Sequence, residues 1–117
     1  MSYNIARGDT IALAWMVKSG DPAAVTSVTG AIRPALSGNP QVVDSTKAKV
    51  ADLTVALQAA ASDGSYPAYW LATLTATLSL ANIPAGDYLA DLRFAFSDGS
   101  ILNSDLLSLR IYEPATL

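Results

Sequence analysis

The sequence contains no cysteine and no histidine among its 117 residues. Without cysteine there are no disulfides and no thiol nucleophile. Without histidine the chain lacks the commonest general base and the commonest metal ligand. The acidic spacing of an EF-hand loop is absent as well. We therefore expect no catalytic residues, no metal site and no cofactor, and we predict that the protein is not an enzyme.

Charge is also sparse. Charged residues make up 15% of the chain, the net charge is -3, and the seven basic residues are scattered singly. This distribution gives no basic stripe for a nucleic-acid backbone. No apolar run approaches the ~18 residues of a membrane span, and MSYNIARGD does not read as a signal peptide. We expect neither nucleic acid nor membrane as a partner, and assembly in a cytoplasm.

Hydrophobic residues, in contrast, reach 51%. Few charges and many apolar residues indicate that another subunit covers part of the surface, although much of the apolar count is alanine, which is neutral about burial. The length fits a single domain over residues 1–117, with short flexible arms at both termini.

Alternating apolar residues predict most of the strands. TIALAWMV at 10–17 alternates cleanly, VTSVTGAIR at 25–33 is expected to end at Pro34, and residues 68–78 alternate with threonines on the opposite face. Turn signals separate about six or seven such segments. This spacing predicts an all-β fold, an immunoglobulin-like antiparallel β-sandwich of about seven strands.

Residues 42–61 allow two interpretations. Leu53, Val55 and Leu57 alternate as in a strand. The alanine-rich tail, with Ser45 as a cap, allows a short helix within 45–61 instead. We favour a strand over 52–59.

The segment IPAGDYLADLRFAFSDGS at 83–100 has the most regular pattern. Tyr88, Ala90, Leu92, Phe94 and Phe96 share one face, and Asp98-Gly99 is a strong hairpin turn. The returning strand is expected over 106–112. The aromatic residues on the apolar faces are predicted to be core residues: Trp15, Trp70, Tyr88, Phe94 and Phe96. Asp87 and Asp91 share the opposite face and could form an acid pair, but Arg93 beside them balances their charge more simply.

The order of these features resembles a known family. GDTIALAWMVKSGDPAAVTSVTGAIRP at 8–34, IPAGDYLADLRFAFSDGS and a final strand look like small structural domains of tailed bacteriophages. They are similar to the immunoglobulin-like amino-terminal domain of phage baseplate upper proteins, over roughly residues 8–34 and 80–113. The resemblance implies a non-enzymatic packing module of the virion. Baseplate proteins of this kind carry a long continuation, whereas this sequence ends at Leu117.

From the resemblance we expect a capsid accessory subunit, either a minor capsid or a decoration protein. A tail or baseplate component is the alternative. The expected partners are other virion proteins, major capsid or tail and baseplate proteins, and further copies in a homo-oligomer. The predicted contact residues combine exposed aromatics with the two terminal arms: Tyr3, Ile5, Tyr66, Tyr69, Tyr112, Pro114 and Leu117.

A module that binds host-surface carbohydrate is a further alternative. Immunoglobulin-like domains bind through their end loops, which here would be 18–24, 35–46 and 62–67. Tyr66 and Tyr69 would form the stacking pair for a sugar.

Overall fold

Nine β-strands and one short helix form the chain in this computed structural model, which describes residues 2–17 and 24–116. In chain order they are β1 (Ser2–Ala6), β2 (Ile11–Met16), β3 (Val25–Leu36), β4 (Asn39–Val43), β5 (Ala51–Gln58), β6 (Tyr69–Leu74), α1 (Ala76–Asn82), β7 (Gly86–Phe96), β8 (Ile101–Asn103) and β9 (Leu107–Tyr112).

The strands follow the order β1-β9-β7-β3-β5-β6-β2, and β4 and β8 add to β3 and β7. This path folds into two layers because β5 changes partner along its length. Its first residues pair with β3, as in Leu53 with Gly30, and Thr54 to Gln58 pair with β6. One layer is therefore β1-β9-β7-β3, and the other is β5-β6-β2.

The pairing confirms the predicted immunoglobulin-like sandwich. All neighbouring strands are antiparallel except β1, which runs parallel to β9 with Tyr3 opposite Leu109. A tyrosine corner, a feature of this fold, precedes the centre of β7. There the Tyr88 hydroxyl donates to the Pro84 carbonyl oxygen at 2.7 Å.

The core lies between the layers and contains the inward residues of each strand. β2 has the burial alternation of a half-buried strand, and β6 shows the same period. All five predicted core aromatics belong to the core: Trp15, Trp70, Tyr88 and Phe94 are buried, and Phe96 is half-buried against them. Gly30 allows β3 to pass close to this core, since a Cβ there would stand 3.0 Å from Leu53 Cβ.

The helix lies elsewhere than expected. Residues 51–58 form a strand as favoured, so the helix within 45–61 is wrong. The predicted strand over 68–78 ends at Leu74, and α1 follows. The Thr75 side chain caps α1 by accepting from the Leu78 backbone N–H at 3.3 Å. A short segment rich in alanine and leucine can form either a strand or a helix. Here the Thr75 cap favours the helix.

The strands also differ from the sequence prediction in number and in bounds: the described residues form nine strands rather than about seven, and residues 35–46, predicted as a loop, contain the end of β3 and all of β4. β3 continues through Pro34, which pairs with Tyr88 and still accepts a hydrogen bond from the Asp44 N–H through its carbonyl oxygen. Ser2–Ala6, expected as an unpaired arm, form β1 beside β9. The Asp98-Gly99 turn forms, with Gly99 at φ 88°, but it leads into the short β8 before β9 begins.

The tyrosine corner makes a testable contribution to stability. Burial raises the pKa of Tyr88 above its ordinary value of 10.0, so its hydroxyl stays protonated and able to donate at neutral pH. Tyr88→Phe removes the donor to Pro84, and we expect a loss of about 1 kcal/mol in the free energy of unfolding, measured in urea. Tyr112→Phe is the control, because Tyr112 is 49% exposed. An equal loss in both variants would contradict this assignment.

Three turn aspartates predict sensitivity to acid. Each carboxylate accepts hydrogen bonds that lower its pKa. The main donor is the Thr46 side chain for Asp44, the Ser65 backbone N–H for Asp63 and the Ser100 side chain for Asp98. Lowered pKa values stabilise the fold above the unfolded value near 3.9, and that stabilisation is lost as pH falls through the folded values.

We therefore expect the melting temperature to decrease when the pH is lowered below about 4. Circular dichroism measures this temperature. Asp98→Asn, which keeps the acceptor oxygen but cannot titrate, should make this acid dependence shallower. A melting temperature that stays constant from neutral pH down to about pH 2 would contradict the prediction.

Candidate functional site

Three rows of residues on the outer face of the β5-β6-β2 layer carry no charged side chain, and the exposed Asp52, two residues before Thr54 on β5, borders them. Register aligns these residues in three rows: Met16, Tyr69 and Gln58; Ala14, Leu71 and Ala56; Ala12, Thr73 and Thr54. We call these nine residues the charge-free face. Their strand neighbours, such as Leu13 and Ala72, point into the core, so the alternation of each strand places the whole set on the outside.

The charge-free face is open to solvent. Ala12, Ala14 and Ala56 are exposed, Met16 is 52% exposed, and the central Tyr69, Leu71 and Thr73 are half-buried between their neighbours. Because the flanking side chains are small, they do not form the walls of a pocket that could enclose a small ligand. Contiguous uncharged surface of this kind suits contact with another protein.

The outer face of the other layer has the opposite character. Its strands present Arg33, Asp87, Asp91, Arg93 and Arg110. Arg110 Nε lies 3.9 Å from Asp87 Oδ1, and the Asn103 side-chain amide donates to Asp91 Oδ2 at 3.2 Å. The two carboxylates thus have separate partners, Arg110 and Asn103 rather than the expected Arg93, and they do not form an acid pair.

A polar groove of about 530 Å³ opens on that second face. Arg33, Arg93 and Lys49 contribute positive charge to it, and Asp52 and Asp91 contribute negative charge. Lys49 Nζ lies 2.7 Å from Asp52 Oδ1. Within residues 2–17 and 24–116, no group of three or more acidic side chains is placed to hold a metal ion. Across the same residues, no helix has the length and apolarity to cross a bilayer.

The structure brings two predicted contact residues together at one end of the charge-free face, to which Tyr69 belongs. Tyr66 is 50% exposed, and its ring centroid lies 5.9 Å from that of Tyr69. The rings meet edge to face at 67°. Only one of them can therefore lie flat against a planar or sugar ligand at a time, and the pair is not a shared stacking platform.

Four of the other predicted contact residues lie on the opposite layer. Tyr3 and Ile5 are half-buried and pack against the core from β1. Tyr112 is exposed on β9 opposite Ala6, and Pro114 follows it, half-buried. Leu117 lies outside the described residues. The six predicted residues that the structure describes thus divide between two separate places: Tyr69 belongs to the charge-free face with Tyr66 beside it, and the other four lie on the opposite layer.

The loops proposed for carbohydrate binding do not form one site. Residues 35–46 precede β5 and residues 62–67 follow it, so they lie at opposite ends of that strand. Eight strand residues separate the two ends. The loop at 18–24 lies outside the described residues except for Ala24.

The contact residues predicted from the sequence did not include Met16, Leu71 or the alanines of β2. Their signal was present in the alternation of TIALAWMV, where Ala12, Ala14 and Met16 share the face opposite to Leu13 and Trp15. The pattern did not show that this face would align with those of β5 and β6.

Comparison with known proteins leaves the chain unassigned. No protein family and no curated protein matches the sequence. Among solved structures, the fold is similar to that of CopC from Methylosinus trichosporium OB3b, at 18% identity and a TM-score of 0.41. The alignment covers 97% of this chain and 87% of that chain. At this level of similarity neither family nor function is transferred.

Proposed function

We propose that the protein is a non-enzymatic structural subunit of a tailed bacteriophage particle that acts by packing against neighbouring subunits. The observation that carries this proposal is the charge-free face. Its nine residues come from three strands and contain no Asp, Glu, Lys or Arg, whereas the opposite layer presents five such residues. Burying an uncharged face avoids the cost of desolvating ions, which is large when they are left unpaired.

Within the particle, a capsid accessory role is the preferred form of the proposal, as a minor capsid or decoration protein. The assignment to a phage rests on the resemblance of residues 8–34 and 80–113 to phage structural domains. A tail or baseplate component would use the same packing surface. The expected partners are major capsid or tail and baseplate proteins and further copies of the chain.

The geometry favours packing over carbohydrate binding. A sugar site needs a concave surface or an aromatic platform with nearby polar groups. The edge-to-face rings of Tyr66 and Tyr69 offer no such platform, and residues 35–46, which hold the end of β3 and all of β4, lie at the opposite end of β5 from the turn at 62–67.

Quantitative mass spectrometry of gradient-purified particles tests this function. The particles come from cells producing the phage that encodes the chain. We expect the protein at a fixed copy number relative to the major capsid protein, and particles reconstituted with a Leu71→Glu variant should lose it. The control variant Thr29→Glu adds the same charge to an exposed position on β3 and should be retained. Purified particles that contain none of the protein would overturn the proposal.

A further inference from the structure

Among the described strands, β2 is the last of its layer and has one edge unpaired. It pairs with β6 alone among the described strands, and it is the last strand of the path. The Val17 N–H donates to the Ala68 carbonyl at 3.4 Å, which continues this ladder. Because hydrogen-bonded residues alternate along an antiparallel ladder, Ile11, Leu13 and Trp15 direct their backbone groups to β6. Ala12, Ala14 and Met16 therefore direct theirs to the open edge.

This edge lacks the features that usually prevent strands from pairing between molecules. Natural edges are protected by lysine, proline, bulges or inward charges. The sequence IALAWM has no charge and no proline, and its register with β6 is unbroken. At the other end of the path, β1 lies beside β9, whose outer face carries Arg110, and Arg7 Nε lies 3.5 Å from Glu113 Oε1.

We propose that β2 pairs with β2 of a second copy, antiparallel, about a two-fold axis at Ala14. In this register Ala14 faces Ala14 of the other copy, and Ala12 faces Met16. Each backbone N–H at the open edge then meets a carbonyl oxygen of the other strand, and each side chain stays on its own face of the sheet. The two three-stranded layers become one six-stranded sheet.

A second copy fits this edge for two reasons. The pattern of open backbone groups is symmetric about Ala14, so the edge is complementary to itself, as a two-fold interface requires. Two copies of a chain with net charge -3 repel each other. The edge of β2 carries no charged side chain, so contact there adds nothing to that repulsion. The pairing deepens the proposed packing function and rests on it, since it names the partner and doubles the charge-free face.

Single cysteines test this pairing, because the chain has none of its own. Ala14→Cys places two thiols at neighbouring positions across the axis, and a short bis-maleimide should link most of the protein into dimers. Ala56→Cys is the matched control, exposed and in the same row. In the proposed sheet the two copies of residue 56 are five strand spacings apart, about 24 Å, and should not be linked.

Linking at residue 56 but not at residue 14 would overturn edge pairing and indicate face-to-face packing, which leaves the proposed function intact. Equal linking at both positions, or at neither, would also overturn edge pairing. Particle composition tests the function separately from these results.

A charge at the axis provides a second readout. Ala14→Lys sets two like charges opposite each other and should weaken dimer association about 10-fold or more, measured by light scattering over a concentration series. Ala56→Lys adds the same charge away from the axis and should change association less than about 2-fold. Unfolding curves show whether both variants are folded. Equal weakening by the two lysines would overturn the register.

Discussion

Leu71→Glu is expected to weaken binding of the protein to neighbouring subunits of the particle by about 100-fold or more while leaving the fold and the pairing of β2 edges intact. Leu71 lies at the centre of the charge-free face, between Ala14 and Ala56. A carboxylate buried there in an interface would have no positively charged partner on the charge-free face. An unpaired buried charge costs about 3 kcal/mol or more, which corresponds to the expected loss of affinity. In the free subunit the same side chain is half-exposed and can be hydrated, so stability should change little.

Co-sedimentation of the protein with particles that lack it, over a concentration series, measures this effect. Thr29→Glu is the matched control, since it adds one negative charge to an exposed position on the opposite layer. We expect its association to match that of the unmodified protein. If Leu71→Glu associates as strongly as Thr29→Glu, the charge-free face is not the packing surface.

Trp70→Ala is expected to lower the free energy of unfolding by about 3–5 kcal/mol. Trp70 is 8% exposed and lies on the inward face of β6, between Trp15 and Leu57 of the neighbouring strands. Its ring centroid is 5.2 Å from that of Phe94, so it joins the two layers. Removing the indole leaves a cavity that the surrounding strands can fill only in part.

Urea denaturation followed by circular dichroism measures this loss. Tyr66→Ala serves as the control, because this aromatic residue is half-exposed in a turn and should cost about 1 kcal/mol or less. Comparable losses in the two variants would contradict a core in which Trp70 connects the layers.

The sequence predicted much of the fold from local patterns. Alternation identified β2, β6 and β7 and assigned five aromatics to the core, because a strand with one buried face shows its burial directly in the order of residues. Asp98-Gly99 identified a turn for a similar reason, since Gly99 adopts a positive φ.

The helix α1 and the continuation of β3 through Pro34 were not predictable in this way. The segment ATLSLAN at 76–82 shows neither a clear helical period nor a clear strand alternation. The Thr75 side chain caps the helix only because the chain leaves the sheet at Leu74. Pro34 stays within β3 because its carbonyl oxygen, rather than the N–H that proline lacks, makes the hydrogen bond to Asp44.

By itself, the sequence determined that the chain is all-β, which residues face inward, and that no histidine or cysteine chemistry exists. These properties are local, since each depends on residue type or on a period of two. Only the tertiary structure decided which outer faces lie side by side. Ala14, Leu71 and Ala56 are far apart in sequence and form one row through the pairing of β2, β6 and β5. Strand register, which depends on long-range hydrogen bonds, therefore created the charge-free face.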